Sequence, residues 1–156
     1  MASHPSFDLI PAPSTVLPGD QSFILPNPVT LSIDEPLSEA WAVAIDILSR
    51  RLGLVPSITP DEADLMLRLD PELAKGAYRL QVSPSIPHAT PTPSGRVTLT
   101  AAGLEGTING LRTLQQLIGE PAFRHAPAGA EVVVPEVFIE DTPRFQHRGV
   151  LLDVAR

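Results

Sequence analysis

The chain has 156 residues, of which 43% are hydrophobic, and this size fits one globular domain with a short extension. Its net charge is −7 and its basic residues are scattered singly, so the composition argues against a nucleic-acid partner. The absence of cysteine excludes disulfide scaffolds and thiolate metal sites.

Residues 1–20 are rich in proline and are predicted to form an extended lead-in, because proline interrupts both helices and strand ladders. No basic region precedes an apolar run here, and no segment approaches the roughly 18 apolar residues of a membrane span. The sequence as written therefore predicts neither an export signal nor a membrane partner. The location of the protein in or outside the cell stays open.

The apolar residues between 23 and 33 predict one strand that Pro26 and Pro28 interrupt, as at a sheet edge or a bulge. A helical stripe follows and predicts a helix over residues 36–52, with Asp34 as its cap and Gly53 as its stop. Trp41 is expected to be buried on the side of this helix that faces a sheet.

Three short runs, at residues 65–69, 78–82 and 97–101, have the alternation and flanking turn residues of strands. The last two are predicted to pair as a hairpin. The connector at residues 83–95 is rich in proline and glycine, which predicts a solvated loop.

A second helix is predicted over residues 104–118, with Gly119 as its stop and Leu111 buried. Gly106 and Gly110 lie on the same side of it. Their four-residue spacing would allow the helix backbone to approach a sheet closely, which outweighs their propensity cost of about 1 kcal/mol only if that contact is made.

The segments at residues 131–134 and 137–139 predict a further extended stretch around Pro135. The final apolar run, residues 150–154, has no evident strand partner in the chain. The elements together predict an α+β domain, with a small mixed sheet of about five strands and two helices on one face.

The chain contains few candidates for chemistry. Its histidines stand far apart and in no metal-ligand spacing, which predicts that no metal is bound; they are His4, His88, His125 and His147. The glycines of the second helix do not precede it as a phosphate loop requires, so no nucleotide or other cofactor is predicted. Glu35 and Glu39 share a helix face, as solvated carboxylates commonly do.

The segment at residues 141–156 is the most informative. An apolar strand that ends in Asp153 and then Arg156 is typical of the carboxyl end of a (β/α)₈ barrel strand, where such enzymes place active-site residues. Ordinary ion pairs among Arg144, Arg148 and Asp153 would explain the same residues, and chemistry alone favours that explanation.

The motifs of this segment carry a resemblance to a known family. D-x-P-R-F at 141–145 and R-G-x-x-x-D-x-x-R at 148–156 are similar to the signature that opens the catalytic domain of family 20 β-hexosaminidases. Residues 9–16 (LIPAPSTV) resemble the start of that family, and the predicted hairpin and second helix resemble parts of its N-terminal domain. The resemblance runs from about Phe7 to Arg156.

The resemblance implies a non-catalytic N-terminal domain at residues 21–140. It also implies that residues 141–156 are the start of a catalytic (β/α)₈ barrel, truncated after its first strand. The parent enzyme would remove terminal non-reducing N-acetylhexosamine residues by substrate-assisted, retaining catalysis, with the acetamido group of the substrate as nucleophile. An Asp-Glu pair on a later strand would orient the acetamide and supply the acid, so this chain alone is expected to be inactive.

By position in the motif, Arg156 matches an arginine that binds sugar hydroxyls, and Arg148 and Asp153 match positions that support the site. No catalytic residue is expected within the chain. The expected partners are N-acetylhexosamine-containing glycans, bound through the missing barrel. An unpaired barrel strand could also lead the chain to associate with itself. The alternative is a stand-alone carbohydrate-binding or protein-interaction module; a reading frame that continues into a barrel would exclude it.

Overall fold

A computed structural model describes residues 7–60, 62–84, 95–124 and 130–145. The described residues contain a seven-stranded mixed sheet with the order β1-β7-β5-β6-β4-β2-β3. The strands are β1 (Thr15–Leu25), β2 (Val29–Ile33), β3 (Pro56–Ile58), β4 (Leu65–Leu69), β5 (Tyr78–Pro84), β6 (Gly95–Ala101) and β7 (Val132–Asp141). The predicted α+β class is confirmed, although the sheet is larger than the expected five or so strands.

The sheet combines two kinds of pairing. Strands β3, β2, β4 and β6 run parallel in that order, whereas β5 pairs with β6, β7 with β5, and β1 with β7 in antiparallel fashion. The hairpin predicted for β5 and β6 is confirmed. The connecting residues 85–94 lie outside the described ranges, as does the predicted strand at residues 150–154.

The prediction of one interrupted strand over residues 23–33 is wrong. Pro26 and Pro28 separate two strands, and these lie far apart in the sheet: β1 is one edge and β2 is next to the other edge. β1 also begins at Thr15, inside the segment predicted as a lead-in. Pro18 is accommodated in this ladder because an edge strand has one side without hydrogen-bonded neighbours, where a missing N–H costs little.

The first helical segment occupies the predicted place but is not a regular α-helix. It comprises a 3₁₀ segment Glu35–Ala40, helix α1 (Trp41–Ile45) and a π-helical segment Asp46–Arg51. Gly53 ends it with φ +67°, and the Leu54 N–H donates to the Leu48 carbonyl, as in a glycine-terminated helix.

Asp34 precedes this segment, but its side chain does not cap it, so that prediction is wrong. The carboxylate instead accepts a 2.8 Å hydrogen bond from the Leu69 backbone N–H at the end of β4. An Arg68 Nη1 also lies 3.4 Å from it. The side chain therefore ties the start of the helical segment to a strand and does not bond to the helix N–H groups.

Helix α2 (Leu104–Ile118) agrees with its prediction, and a short helix α3 (Glu120–Arg124) follows after Gly119. The close approach that the spacing of its glycines would allow is present. A Cβ at Gly106 would overlap the backbone carbonyl oxygen of Ala77, and one at Gly110 would overlap the side chain of Leu99. The α2 backbone therefore lies directly on strands β5 and β6.

The core fills the space between one face of the sheet and the helices. Its largest fully buried side chains include Phe23, Leu67, Leu80 and Leu111. Trp41, expected to be buried, is only partly so and packs at the margin of the core. The opposite face of the sheet, which we name the open face, carries the polar residues that alternate with these core positions.

Candidate functional site

The residues predicted to contact or support a sugar site, Arg148, Asp153 and Arg156, lie outside the described residues. The structure does describe the segment that leads to them. Strand β7 ends at Asp141, and the described chain continues to Phe145. The candidate site is therefore built from the groups around the end of β7.

Residues 7–14, which we name the strap, lie against this end of the domain. Leu9 is buried in the core. On the next residue, the Ile10 N–H donates to Oε1 of Gln116 at 2.8 Å, and Nε2 of Gln116 donates to the Ile10 carbonyl at 3.0 Å. One amide side chain of α2 thus fixes both polar groups of the strap backbone at this point.

The strap is also joined to the last residue of β7. Both the backbone N–H and the hydroxyl of Ser14 donate to Oδ1 of Asp141, at 3.0 Å and 2.9 Å. Hydrogen bonds to a carboxylate are stronger than those between neutral groups. The strap and the end of β7, 127 residues apart in the chain, are therefore held together where β7 ends.

Beneath the strap, Tyr78 of β5 stands opposite Asp141 in the sheet. The Tyr78 hydroxyl lies 2.6 Å from the Thr113 hydroxyl, which in turn donates to the Asn109 carbonyl. Tyr78 is therefore the donor in its bond to Thr113. Burial raises the pKa of Tyr78, so it remains a neutral phenol with a structural bond.

Large apolar side chains are exposed in the strap, in α3 and in the chain after β7. Ile10 is 79% exposed, Phe123 is 52% exposed and Phe145 is 70% exposed. Two cavities border the strap, one of about 370 Å³ and one of about 120 Å³, and Arg112 and Gln116 line both. We name this region, which comprises the strap, the outer side of α2, α3 and the chain after β7, the helix-side surface.

Two carboxylates have a shifted pKa, and in both the shift is opposite to the one that a general acid needs. Arg51 donates to Asp46 at 2.8 Å and lowers the pKa of that carboxyl. Arg96 lies 2.7 Å from Glu62 and lowers its pKa in the same way. A general acid at neutral pH requires the opposite shift. Glu35 and Glu39 are exposed, as their helical positions predict.

A metal site in a protein requires several ligand side chains close together. In the described part of the chain, no three histidine, cysteine or carboxylate side chains come together as metal ligands would. The histidines themselves (His4, His88, His125 and His147) all lie outside it. Within the described ranges, no helix combines the length and the apolar character needed to cross a membrane.

The comparison with known families agrees with this architecture. The model of glycosyl hydrolase family 20, domain 2, matches residues 6–142, which include all seven strands and all helices described above. The chain belongs to this family. The match ends one residue after β7, so the domain 2 unit closes where the strap meets the end of the sheet.

Two curated relatives illustrate how the family 20 domain relates to longer proteins. A β-hexosaminidase of Vibrio furnissii is 29% identical over 154 residues, which are 97% of this chain and 22% of the relative. A β-N-acetylhexosaminidase of Cellulomonas fimi is 29% identical over 161 residues, covering 97% of this chain and 29% of the relative. The chain thus spans less than a third of the length of either protein.

Solved structures share the fold. The N-acetyl-β-hexosaminidase of Streptomyces plicatus superimposes with a TM-score of 0.72 at 26% identity, over 88% of this chain and 26% of that one. The family 20 β-N-acetylhexosaminidase of Streptomyces coelicolor A3(2) gives a TM-score of 0.71 at 28% identity, over 93% and 28%. The family 20 domain described here is therefore the same kind of unit as one part of these proteins.

Sequence reasoning missed the residues that hold the strap. Ser14, Gln116 and Asp141 come from three distant parts of the chain, and helical or strand periodicity relates residues only within one element. The available signal was the pair of motifs at residues 9–16 and 141–145, which the fold brings together.

Proposed function

We propose that this chain is the non-catalytic N-terminal domain of a β-N-acetylhexosaminidase, and that its helix-side surface holds the catalytic barrel. The observation that carries the proposal is the junction at Asp141. There the family 20 match ends, the strap is fixed, and the chain continues toward the motif at residues 148–156.

Exposed apolar residues at this junction support a domain contact. Ile10 projects from a strap whose backbone is held by Gln116, so its position is fixed before any contact forms. Phe123 is exposed and lines a cavity that borders the strap, and Phe145, in the chain after β7, is exposed as well. Ordered apolar side chains of this size commonly form the centre of protein interfaces, and a linked domain is the partner available at the end of β7.

The catalytic chemistry would reside in the barrel. In the proposed mechanism the substrate acetamido group attacks the anomeric carbon, and an Asp-Glu pair of the barrel orients it and protonates the leaving oxygen. Arg156 would bind sugar hydroxyls through its guanidinium fork, with Arg148 and Asp153 as supports. The terminal N-acetylhexosamine residues of glycans are the proposed substrates.

The experiment compares the 156-residue chain with the chain extended through its downstream reading frame. Release of 4-nitrophenol from 4-nitrophenyl N-acetyl-β-D-glucosaminide should occur only with the extended protein. Hydrolysis by the purified 156-residue chain, above a heat-treated control, would contradict the proposal. A stop codon directly after Arg156 would favour the alternative of a free-standing module.

On the same proposal, we expect the 156-residue chain to associate with itself through the apolar run at residues 150–154, because the neighbouring barrel strands would be missing. Sedimentation should then show a mass that rises with concentration. The extended protein should not show this rise, because neighbouring barrel strands would pair with the run.

A further inference from the structure

A cavity of about 660 Å³ lies on the open face of the sheet, away from the helix-side surface. It spans strands β2, β4, β6 and β5 at one end of the sheet. Its lining consists mainly of polar side chains, namely Thr30, Glu62, Asp64, Gln81, Ser83, Arg96 and Thr98. Small-molecule sites in proteins commonly have volumes of about 300–1,000 Å³, so the cavity can hold a ligand of moderate size.

Two charged pairs fix part of the lining. Arg96 lies 2.7 Å from Glu62 and neutralises it. Asp64 accepts a 2.7 Å hydrogen bond from the Thr30 backbone N–H, and the Thr30 hydroxyl bonds to the same oxygen, Oδ2. Both of these bonds go to one carboxylate oxygen and hold the Asp64 side chain in place in the lining.

The side chains at the centre of the lining are uncharged and can both donate and accept hydrogen bonds. Gln81 stands directly opposite Thr98 across the β5–β6 ladder, and Ser83 stands opposite Arg96. An amide supplies two donors and an acceptor, and each hydroxyl supplies a donor and acceptors. These neighbouring groups offer a ligand alternating donors and acceptors along two adjacent strands.

The charge and polarity of the cavity select among ligand classes. Among the lining residues that the structure describes, two carboxylates and one guanidinium give a net negative charge, which disfavours phosphates and other anions. The described residues of the lining include no aromatic side chain, so a flat apolar ligand would lack a contact surface among them. A neutral ligand with many hydroxyl groups matches the remaining chemistry, because each hydroxyl both donates and accepts.

We propose that this cavity is a saccharide-binding site separate from the catalytic barrel. It lies at the end of β5 remote from Tyr78, the residue paired with Asp141, and Ser83 is five positions after Tyr78, or about 17 Å along the strand. It also lies on the opposite face of the sheet from the helices. A domain bound to the helix-side surface leaves the cavity open, and the inference does not depend on that domain.

Without an aromatic platform, the site binds short neutral oligosaccharides weakly, with a dissociation constant on the order of millimolar. The test is titration of the isotopically labelled 156-residue chain, followed by amide chemical shifts, with triacetylchitotriose or maltotriose up to about 20 mM. Inorganic phosphate serves as the anionic comparison. At least one oligosaccharide should shift amides at residues 62–64, 81–83 and 96–98, and phosphate should not.

Two matched variants on β6 distinguish binding at the cavity from an effect of changing any threonine on this face. Thr98→Val keeps the shape and removes a hydroxyl from the cavity, whereas Thr100→Val makes the same change two residues along the same face, outside the lining. Thr98→Val and Gln81→Ala should each weaken binding at least threefold, and Thr100→Val should leave it unchanged.

Three outcomes would overturn the proposal. The first is no shift with either oligosaccharide, and the second is equal weakening by both threonine variants. The third is binding of phosphate in preference to sugar.

Discussion

Replacing Gly106 by alanine isolates the close contact between α2 and the sheet. The added Cβ would overlap the Ala77 carbonyl oxygen and lie 3.2 Å from the Ala101 Cβ. The Ala77 carbonyl cannot easily move, because it accepts a hydrogen bond from the Ala102 N–H at 3.3 Å. The obstacle is therefore the Ala77 backbone on one side and the Ala101 Cβ on the other, and neither is the flexible end of a long side chain.

The expected magnitude follows from three opposing effects. Overpacking typically costs about 1–3 kcal/mol, and weakening the Ala102 hydrogen bond adds about 1 kcal/mol. The better helix propensity of alanine returns roughly 0.5–1 kcal/mol. We therefore expect a net loss of about 1–3 kcal/mol in the free energy of unfolding, opposite in sign to the effect of propensity alone.

Urea unfolding followed by the fluorescence of Trp41, the single tryptophan, measures this loss. Gly103→Ala is the matched control, because Gly103 precedes the same helix and a Cβ there would meet nothing within 4 Å. Its effect should stay below about 1 kcal/mol. If Gly106→Ala is as stable as the unmodified chain or more stable, the described contact between α2 and β5 is wrong.

Three further outcomes are expected. Leu111→Ala should cost about 2–5 kcal/mol in urea unfolding followed by circular dichroism, a signal that needs no tryptophan. By the same signal Trp41→Ala should cost clearly less because Trp41 is only partly buried, and equal losses would contradict the described burial. Ser14→Ala should cost about 1 kcal/mol and speed amide exchange across the strap, and unchanged exchange would show that the strap is held otherwise. Arg51 lowers the pKa of Asp46 below the ordinary 3.8, so their pair stabilises the fold above pH 3.8 and loses this effect as the pH falls through the lowered pKa. NMR titration of Arg51→Gln should show the pKa of Asp46 rise toward its ordinary value, and an unchanged pKa would contradict this cause.

The sequence predicted the elements whose residues interact locally. Helix α2, the β5–β6 hairpin and the role of Gly106 follow from periodicity, turn residues and the cost of glycine within a helix. These features depend on residues near one another in the chain.

Long-range pairing could not be predicted in the same way. The separation of β1 from β2 depends on which strands meet, since β1 pairs only with β7, more than a hundred residues later. Aspartate before a helix is a common cap, but the Asp34 side chain bonds to a backbone N–H at the end of β4. The strap contacts of Ser14 and Gln116 likewise arise only in the folded chain.

Hydrogen exchange most directly tests the claim that the helix-side surface holds a catalytic barrel. The measurement compares the 156-residue chain with the chain extended through its downstream reading frame. We expect the extension to protect amides in the strap, α2 and α3, and to leave the open face around Thr98 unchanged. Protection confined to the open face, or no added protection in the strap and helices, would contradict the account.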